Sequence, residues 1–272
     1  QGKEKCCFAV TEPNTGLNTT QLKTRAERKG DRYVVNGNKV WISTAQEAHK
    51  ILLLARTTPL EEVSKPTHGL SLFYTDLDRS RIEIREIEKM GRHAVDSNAL
   101  FIDDFEIPVE NRIGEEGRGF EYILHGMNPE RVLIAAEAIG LGMLALQRAT
   151  QYAKERIVFN RPIGQNQAIQ HPLAANWMEL ESAWMMTLKA AWEYDKGLPC
   201  GAAANAAKYL AGEAGFNACQ QAIMTHGGMG YAKEYHVERY LREVMIPRIA
   251  PVSPQLVLSF IAERVLGLPK SY

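Results

Sequence analysis

Asn128-Pro129-Glu130-Arg131-Val132-Leu133-Ile134 is the stretch on which the reading of this chain turns. Before it, apolar residues recur at strand spacing. From about Gly119 to Arg156 they recur at helix spacing, as at Leu133, Ile134, Ala138, Ile139 and Leu144. The change of period, with Pro108 shortly before it, puts a boundary near residues 108–118 and divides the chain into a β half (1–115) and a helical half (116–272).

Working back toward the N-terminus, Arg32-Tyr-Val-Val35 and Lys39-Val-Trp-Ile42 flank Asn36-Gly37, a pair that tolerates positive φ and predicts a hairpin turn. Ile51-Leu-Leu-Leu-Ala55 reads as a strand buried on both faces, and 69–74, 82–85 and 99–105 continue the series. Short strands joined by turn clusters predict an antiparallel barrel or sandwich. Working forward, a helical block covers about 169–198, Pro199-Cys200-Gly201 breaks it, and the Ala-rich 202–224 predicts a buried helix ended by Gly227-Gly228-Met229-Gly230. Two shorter helices follow. Long helices with short loops predict an up-and-down four-helix bundle, so the fold class is α+β and multidomain.

Lys+Arg and Asp+Glu both count 32 in 272 residues, a balance that argues against nucleic acid or an anionic membrane as the main partner. The expectation is that no apolar run spans a bilayer and that no secretory signal opens the chain. Cys6, Cys7, Cys200 and Cys219 have no metal-ligand spacing, so a reducing compartment is expected and no metal site. The chain opens on Gln1 and runs almost at once into an apolar strand, from which a missing N-terminal portion is expected.

Individual motifs have bland explanations. Thr11-Glu12-Pro13 is explained by a strand end with a proline turn, Trp41 by a core aromatic and Ser43 by a turn. Together they offer polar groups and a stacking face to a heteroaromatic ring. Gly227-Gly228-Met229-Gly230 serves equally as a helix C-cap or as a cradle of N–H groups for phosphate. It lacks the strand-before, helix-after context of a dinucleotide fingerprint. His226 reads as a packed histidine. Arg156, Phe159, Arg161 and Pro162 are either a solvated basic loop or a guanidinium aimed at a phosphate beside a ring. Glu130 reads as an acid in the first turn of its helix, with Pro129 at N1, which the helix dipole alone explains.

Taken in order, these segments resemble the acyl-CoA dehydrogenase family almost end to end, as its middle β-domain followed by its C-terminal helical domain. Phe8-Ala-Val-Thr-Glu-Pro13 resembles the first signature and Gly37-Asn-Lys-Val-Trp-Ile-Ser43 the flavin-stacking strand. Arg156-Ile-Val-Phe-Asn-Arg-Pro-Ile163, with Gln167 and Gln170, resembles the loop that reaches a neighbouring subunit's FAD. Gly227-Gly-Met-Gly-Tyr231 resembles the C-terminal glycine turn. The resemblance implies FAD, an acyl-CoA substrate, an electron-transferring flavoprotein or similar acceptor, and a homo-oligomer, dimer or tetramer, whose subunits share flavin sites. It implies Val10 and Thr11 at the pyrimidine edge, Trp41 on the isoalloxazine and Ser43 near N5. Arg156, Phe159, Gly227 and Gly228 would serve the partner's FAD, Ser253 and Gln255 would lie near the cofactor, and Arg131 near the CoA moiety.

The chain also departs from the family. Where many members carry a catalytic glutamate, this one reads Ala250-Pro251-Val252-Ser253. A smaller set places the base on the first helix of the C-terminal domain, and Glu130 matches that position, which implies that Glu130 takes the α-proton while the β-hydrogen leaves to flavin. Pro251 has no N–H to give a thioester oxygen. Leu17-Asn18 replace the Ser-Asp of the first signature. Two other readings stay open: a flavin monooxygenase or oxidase on the same scaffold, and a non-catalytic subunit that completes a partner's flavin site. The expected compartment is bacterial cytoplasm or mitochondrial matrix.

Overall fold

The computed structural model describes residues 2–271. The chain divides into two compact units, Gln1–Gly126 and Met127–Tyr272.

The first unit is an eight-stranded mixed sheet. Its strands are β1 (Cys6–Ala9), β2 (Arg25–Lys29), β3 (Arg32–Ser43), β4 (Lys50–Arg56), β5 (Leu70–Asp76), β6 (Ile82–Glu86), β7 (Ser97–Pro108) and β8 (Arg112–Ile113). The order is β6-β7-β3-β2-β4-β5-β8, with β1 added to β4. Most pairings are antiparallel; β1 and β2 meet β4 in parallel. The sheet folds back on itself, so that the Tyr33 ring of β3 meets Phe73 of β5 edge-on at 5.0 Å. Tyr33, Val35, Ile51, Leu53, Phe73, Leu100 and Phe105 fill the space enclosed. A smaller cluster on the other face joins Leu22, Leu54, Leu70 and Leu72 to Phe120, Tyr122 and Ile123. Those three belong to the first turns of α1 (Gly119–Glu155), which explains why the first unit reaches Gly126 rather than stopping near residue 115.

Asn36-Gly37 is not a hairpin turn. It lies inside the 12-residue β3, opposite a bulge in β7. The Asn36 side chain accepts the Asp104 N–H at 2.9 Å and donates to its carboxylate at 3.0 Å. Gly37 has φ 153°, and a Cβ there would stand 2.5 Å from Thr24 Oγ1, so close approach of another segment, not a reversal, requires the glycine. The reversal is at Gly30-Asp31, between β2 and β3. The charged Arg-Ala-Glu-Arg-Lys of β2 concealed it from a hydrophobicity reading.

The second unit is helical: the rest of α1, then α2 (Gln167–Asp195), α3 (Gly201–His226), α4 (Val237–Ile249) and α5 (Pro254–Arg264). Between α1 and α2 lies a small hairpin of β9 (Ile157–Val158) and β10 (Arg161–Pro162). Small residues let the helices approach closely: a Cβ on Gly215 of α3 would sit 2.5 Å from the Ala138 carbonyl of α1, and one on Gly142 2.7 Å from Leu180 of α2. The core is correspondingly alanine-rich, from Ala135 and Ala138 to Ala211 and Ala222, with Leu180, Val237 and Val244. α1 is 37 residues long and contains Pro129 in its interior. The helix therefore does not open at Asn128, and Glu130 lies well past its first turn, beyond reach of the N-terminal dipole.

Two helical stretches, Gly119–Glu155 and Val237–Arg264, are long and apolar enough to cross a membrane by length and composition, contrary to the sequence expectation. That is weak evidence of insertion, because the core helix of a soluble protein passes the same test.

Candidate functional site

In the β unit, the chain leaves β1 at Val10 and Thr11 and runs beside the end of β3. The Val40 N–H donates to the Thr11 carbonyl at 2.9 Å, which brings Thr11 next to Trp41. Opposite Leu100 and Asn98, β3 carries one residue more than β7 between Lys39 and Ile42. That bulge holds Trp41 in a left-handed conformation, φ 62°, and leaves the indole 57% exposed. An aromatic in this region of φ is uncommon and costs backbone energy. Ser43, at the exposed end of β3, pairs with Ser97 and is followed by Thr44, also at φ 62°. Val10, Thr11, Trp41 and Ser43 thus converge at one end of the sheet.

Beneath them is an ion pair that motif reading does not detect. Lys39 is fully buried and donates to the Val10 carbonyl at 2.9 Å and to Glu12 Oε1 at 3.0 Å. Glu12 also accepts the N–H groups of Lys23 (2.6 Å) and Thr24 (2.9 Å). Burial pushes the Glu12 carboxyl up, but Lys39 and those N–H groups outweigh it and hold it below the usual range. Burial depresses the Lys39 ammonium against the pull of Glu12. The available signal was register: strand alternation from Tyr33 and Val35 puts Lys39 on the core face, where a lysine needs a partner.

In the helical unit the expected residues fall into two groups. At the end of α1, Tyr152 stacks on His226 with ring centroids 4.3 Å apart, and Tyr235 closes edge-on at 5.7 Å from His226. His226 is indeed packed: it is buried, with Nδ1 2.7 Å from the Ala222 carbonyl. The stack brings the Arg156–Phe159 hairpin and the Gly227–Gly228 turn to the same end of the bundle. The hairpin turns at Phe159 and Asn160, φ 51° and 61°, and Phe159 is 94% exposed. Gly227 caps α3 at φ 60°, and a Cβ on Gly227 or Gly228 would meet nothing within 4 Å. This is bare, open backbone beside an exposed ring and the exposed Arg156.

The second group is Glu130, Arg131, Ser253 and Gln255. The Glu130 carboxyl is half-buried, and burial raises it above the usual range despite the neighbouring Arg131. Arg131 Nη1 donates to Asn128 Oδ1 at 2.8 Å, while its buried Nε–H has no hydrogen-bond partner among the described residues. Ser253 caps α5, its Oγ accepting the Leu256 N–H at 3.2 Å, with Pro254 at N1 and Gln255 exposed beside it. No group of three or more potential metal ligands occurs among the described residues.

In the β unit, exposed Trp41 and the polar ends of β1 and β3 suit a large flat ring; in the helical unit, exposed Phe159 and the uncovered glycine backbone suit a ring and a phosphate-bearing group. Residues 117–266 match the model of the acyl-CoA dehydrogenase C-terminal domain, and residues 7–105 that of the acyl-CoA dehydrogenase middle domain. The chain belongs to the acyl-CoA dehydrogenase family. It is 39% identical over 273 residues to acyl-CoA dehydrogenase fadE12 of Mycobacterium bovis, covering 100% of this chain and 70% of that protein. Among solved structures, butyryl-CoA dehydrogenase from Megasphaera elsdenii superposes with TM-score 0.91 at 30% identity, covering 97% of this chain and 68% of that one. The FAD complex of PigA gives TM-score 0.92 at 27% identity, over 98% and 69%. As a member of the acyl-CoA dehydrogenase family, the chain is an FAD-dependent oxidoreductase.

Proposed function

We propose that the chain removes the α-proton and β-hydrogen of an acyl-CoA thioester, giving a trans-2-enoyl-CoA, with Glu130 as base. One observation carries the reading: Glu130 is a half-buried carboxyl raised by desolvation, in a chain whose Ala250–Ser253 segment contains no acid. A raised value brings a carboxylate closer to the basicity an α-proton demands. When bound, FAD supplies the two-electron acceptor for the β-hydrogen.

Every other role falls to the chain. Val10, Thr11 and Ser43 would border the ring and Trp41 would stack on it. The Glu12–Lys39 pair fixes Val10 from below. Arg156, Phe159, Gly227 and Gly228 would serve the FAD of a second copy, and Ser253 and Gln255 would approach the cofactor from the start of α5. Arg131 would stand near the CoA moiety. A homo-oligomer, dimer or tetramer, is supported by the apolar face that α2 leaves exposed: Trp177, Met178, Trp184, Met185, Leu188 and Trp192. The electrons would pass to an electron-transferring flavoprotein or an equivalent carrier, as β-oxidation of fatty acyl groups requires, in a bacterial cytoplasm or mitochondrial matrix.

The test is Glu130→Gln, assayed for enoyl-CoA formation with an artificial electron acceptor, with FAD content measured alongside. Loss of product with FAD retained supports the reading; wild-type turnover removes Glu130 from it. Product formed only with consumption of O2 would favour an oxidase on this scaffold instead.

A further inference from the structure

The segment joining α4 to α5 is poorly equipped to hold itself. Pro251 and Pro254 have no N–H, so two of the donors that could anchor the turn are missing. Its anchor comes from elsewhere. Lys208, in the middle of α3 and only 1% exposed, donates to the Arg248 carbonyl at 2.9 Å and to the Val252 carbonyl at 2.6 Å. One ammonium thus straddles Ile249, Ala250 and Pro251. Among the described residues no carboxylate lies within ion-pair distance of it, and Glu213 is engaged by Arg248 at 2.8 Å.

Burying an ammonium without a counter-ion is costly, and a methionine would fill similar space without that cost. A lysine here is justified if the position of the turn matters more than stability. Arg131, the residue after Glu130, is near enough that its charge adds to burial in depressing the Lys208 ammonium, against the opposing Glu213, to about 8. Lys208 thus holds the turn that carries Ser253 and is close enough to the α1 segment that carries Glu130 to feel the charge of Arg131.

We propose that Lys208 is a positioning residue for the dehydrogenation: its ammonium sets where the Ala250–Ser253 turn stands against the Glu130–Arg131 segment of α1. The inference rests on Glu130 as the base. It assigns Lys208 no contact with substrate or cofactor. Its effect falls on kcat, because the base and the turn must be aligned at the moment of proton removal, and misplacement by about 1 Å can cost on the order of 100-fold.

The experiment compares wild type, Lys208→Met and Lys208→Arg over short, medium and long straight-chain acyl-CoAs, with FAD content and thermal unfolding measured on each. Lys208→Met is expected to keep its FAD and lose kcat by on the order of 100-fold with little change in KM; Lys208→Arg, which keeps the charge, is expected to recover most of it. A second readout does not need the methionine variant to fold. Wild-type kcat should fall as pH rises through about 8, where the charge-assisted bonds to the two carbonyls weaken. Lys208→Arg should lack that limb, since a guanidinium keeps its proton there. The other charged or titratable groups near Lys208 are Arg131 on α1, Glu213 on α3 and Arg248 on α4, with Glu130 and Cys200 beside Arg131; all are unchanged in the variant. Wild-type kcat in Lys208→Met, or an alkaline limb unmoved in Lys208→Arg, overturns the proposal. An active Glu130→Gln control would instead defeat the assignment of the base.

Discussion

Replacing Lys39 by Met tests whether the buried pair under Val10 supports the cofactor edge. The substitution keeps the length of the side chain and deletes its charge. Glu12 loses a charge-assisted bond of 3.0 Å, and the Val10 carbonyl loses its 2.9 Å donor. The first loss is about 1.5–3 kcal/mol and the second about 1 kcal/mol. The lost Coulomb attraction adds to these, and relief from burying the ammonium subtracts. The Lys23 and Thr24 N–H groups still serve Glu12, which places the net cost near the lower end of the range for breaking a buried pair, about 3 kcal/mol. For a chain of this size that is a drop of roughly 6–12 °C in the melting temperature. The pH dependence moves as well. A carboxyl held below its unfolded value contributes stability that is complete above that value and is lost as pH falls through the folded one. Without Lys39 the Glu12 carboxyl rises toward its unfolded value, so the share of stability that Glu12 loses in acid shrinks. Thermal unfolding across an acid pH series, with FAD release followed by fluorescence, reads both effects. A variant that melts within 1–2 °C of wild type, keeps FAD and has an undiminished acid limb refutes the reasoning.

Because burial raises Glu130, the acid limb of kcat/KM should lie above the ordinary glutamate value of 4.5, with activity rising as pH passes through it; a pH–rate profile checks this. Trp41→Ala should weaken FAD binding by about two- to tenfold through lost stacking, measured by fluorescence titration of apoprotein. Gly215→Ala forces a Cβ to within 2.5 Å of the Ala138 carbonyl and 3.1 Å of Val244, and should cost about 1–3 kcal/mol in denaturant unfolding.

Periodicity was legible wherever burial followed it. Ile51-Leu-Leu-Leu-Ala55 is a central strand, and the Ala-rich 202–224 is the buried α3, because both bury apolar residues in the pattern a hydrophobicity reading detects. Asn36-Gly37 was misleading for a tertiary reason: its glycine answers to the close approach of Thr24, a contact local turn chemistry does not contain. β2 was invisible because Arg25, Glu27, Arg28 and Lys29 face water on a strand only five residues long. The period placed the start of α1 near Gly119, but Pro129 and Glu130 mimic a helix opening that the continuous helix does not have. Among the candidate site residues, Trp41 and Phe159 were legible as aromatics, but not the left-handed backbone that exposes them. Lys39 and Lys208 escaped notice because a buried lysine is recognised by its partners, and the partners are carbonyls and a carboxylate distant in sequence.

The proposed reaction needs one carboxylate on α1 to take the substrate's α-proton. Anaerobic mixing of the FAD-loaded protein with an acyl-CoA, followed at the visible flavin band, tests it in a single turnover. Rapid bleaching is expected in wild type and none in Glu130→Gln at equal FAD content. Bleaching of the variant at the wild-type rate would contradict that role of the carboxylate.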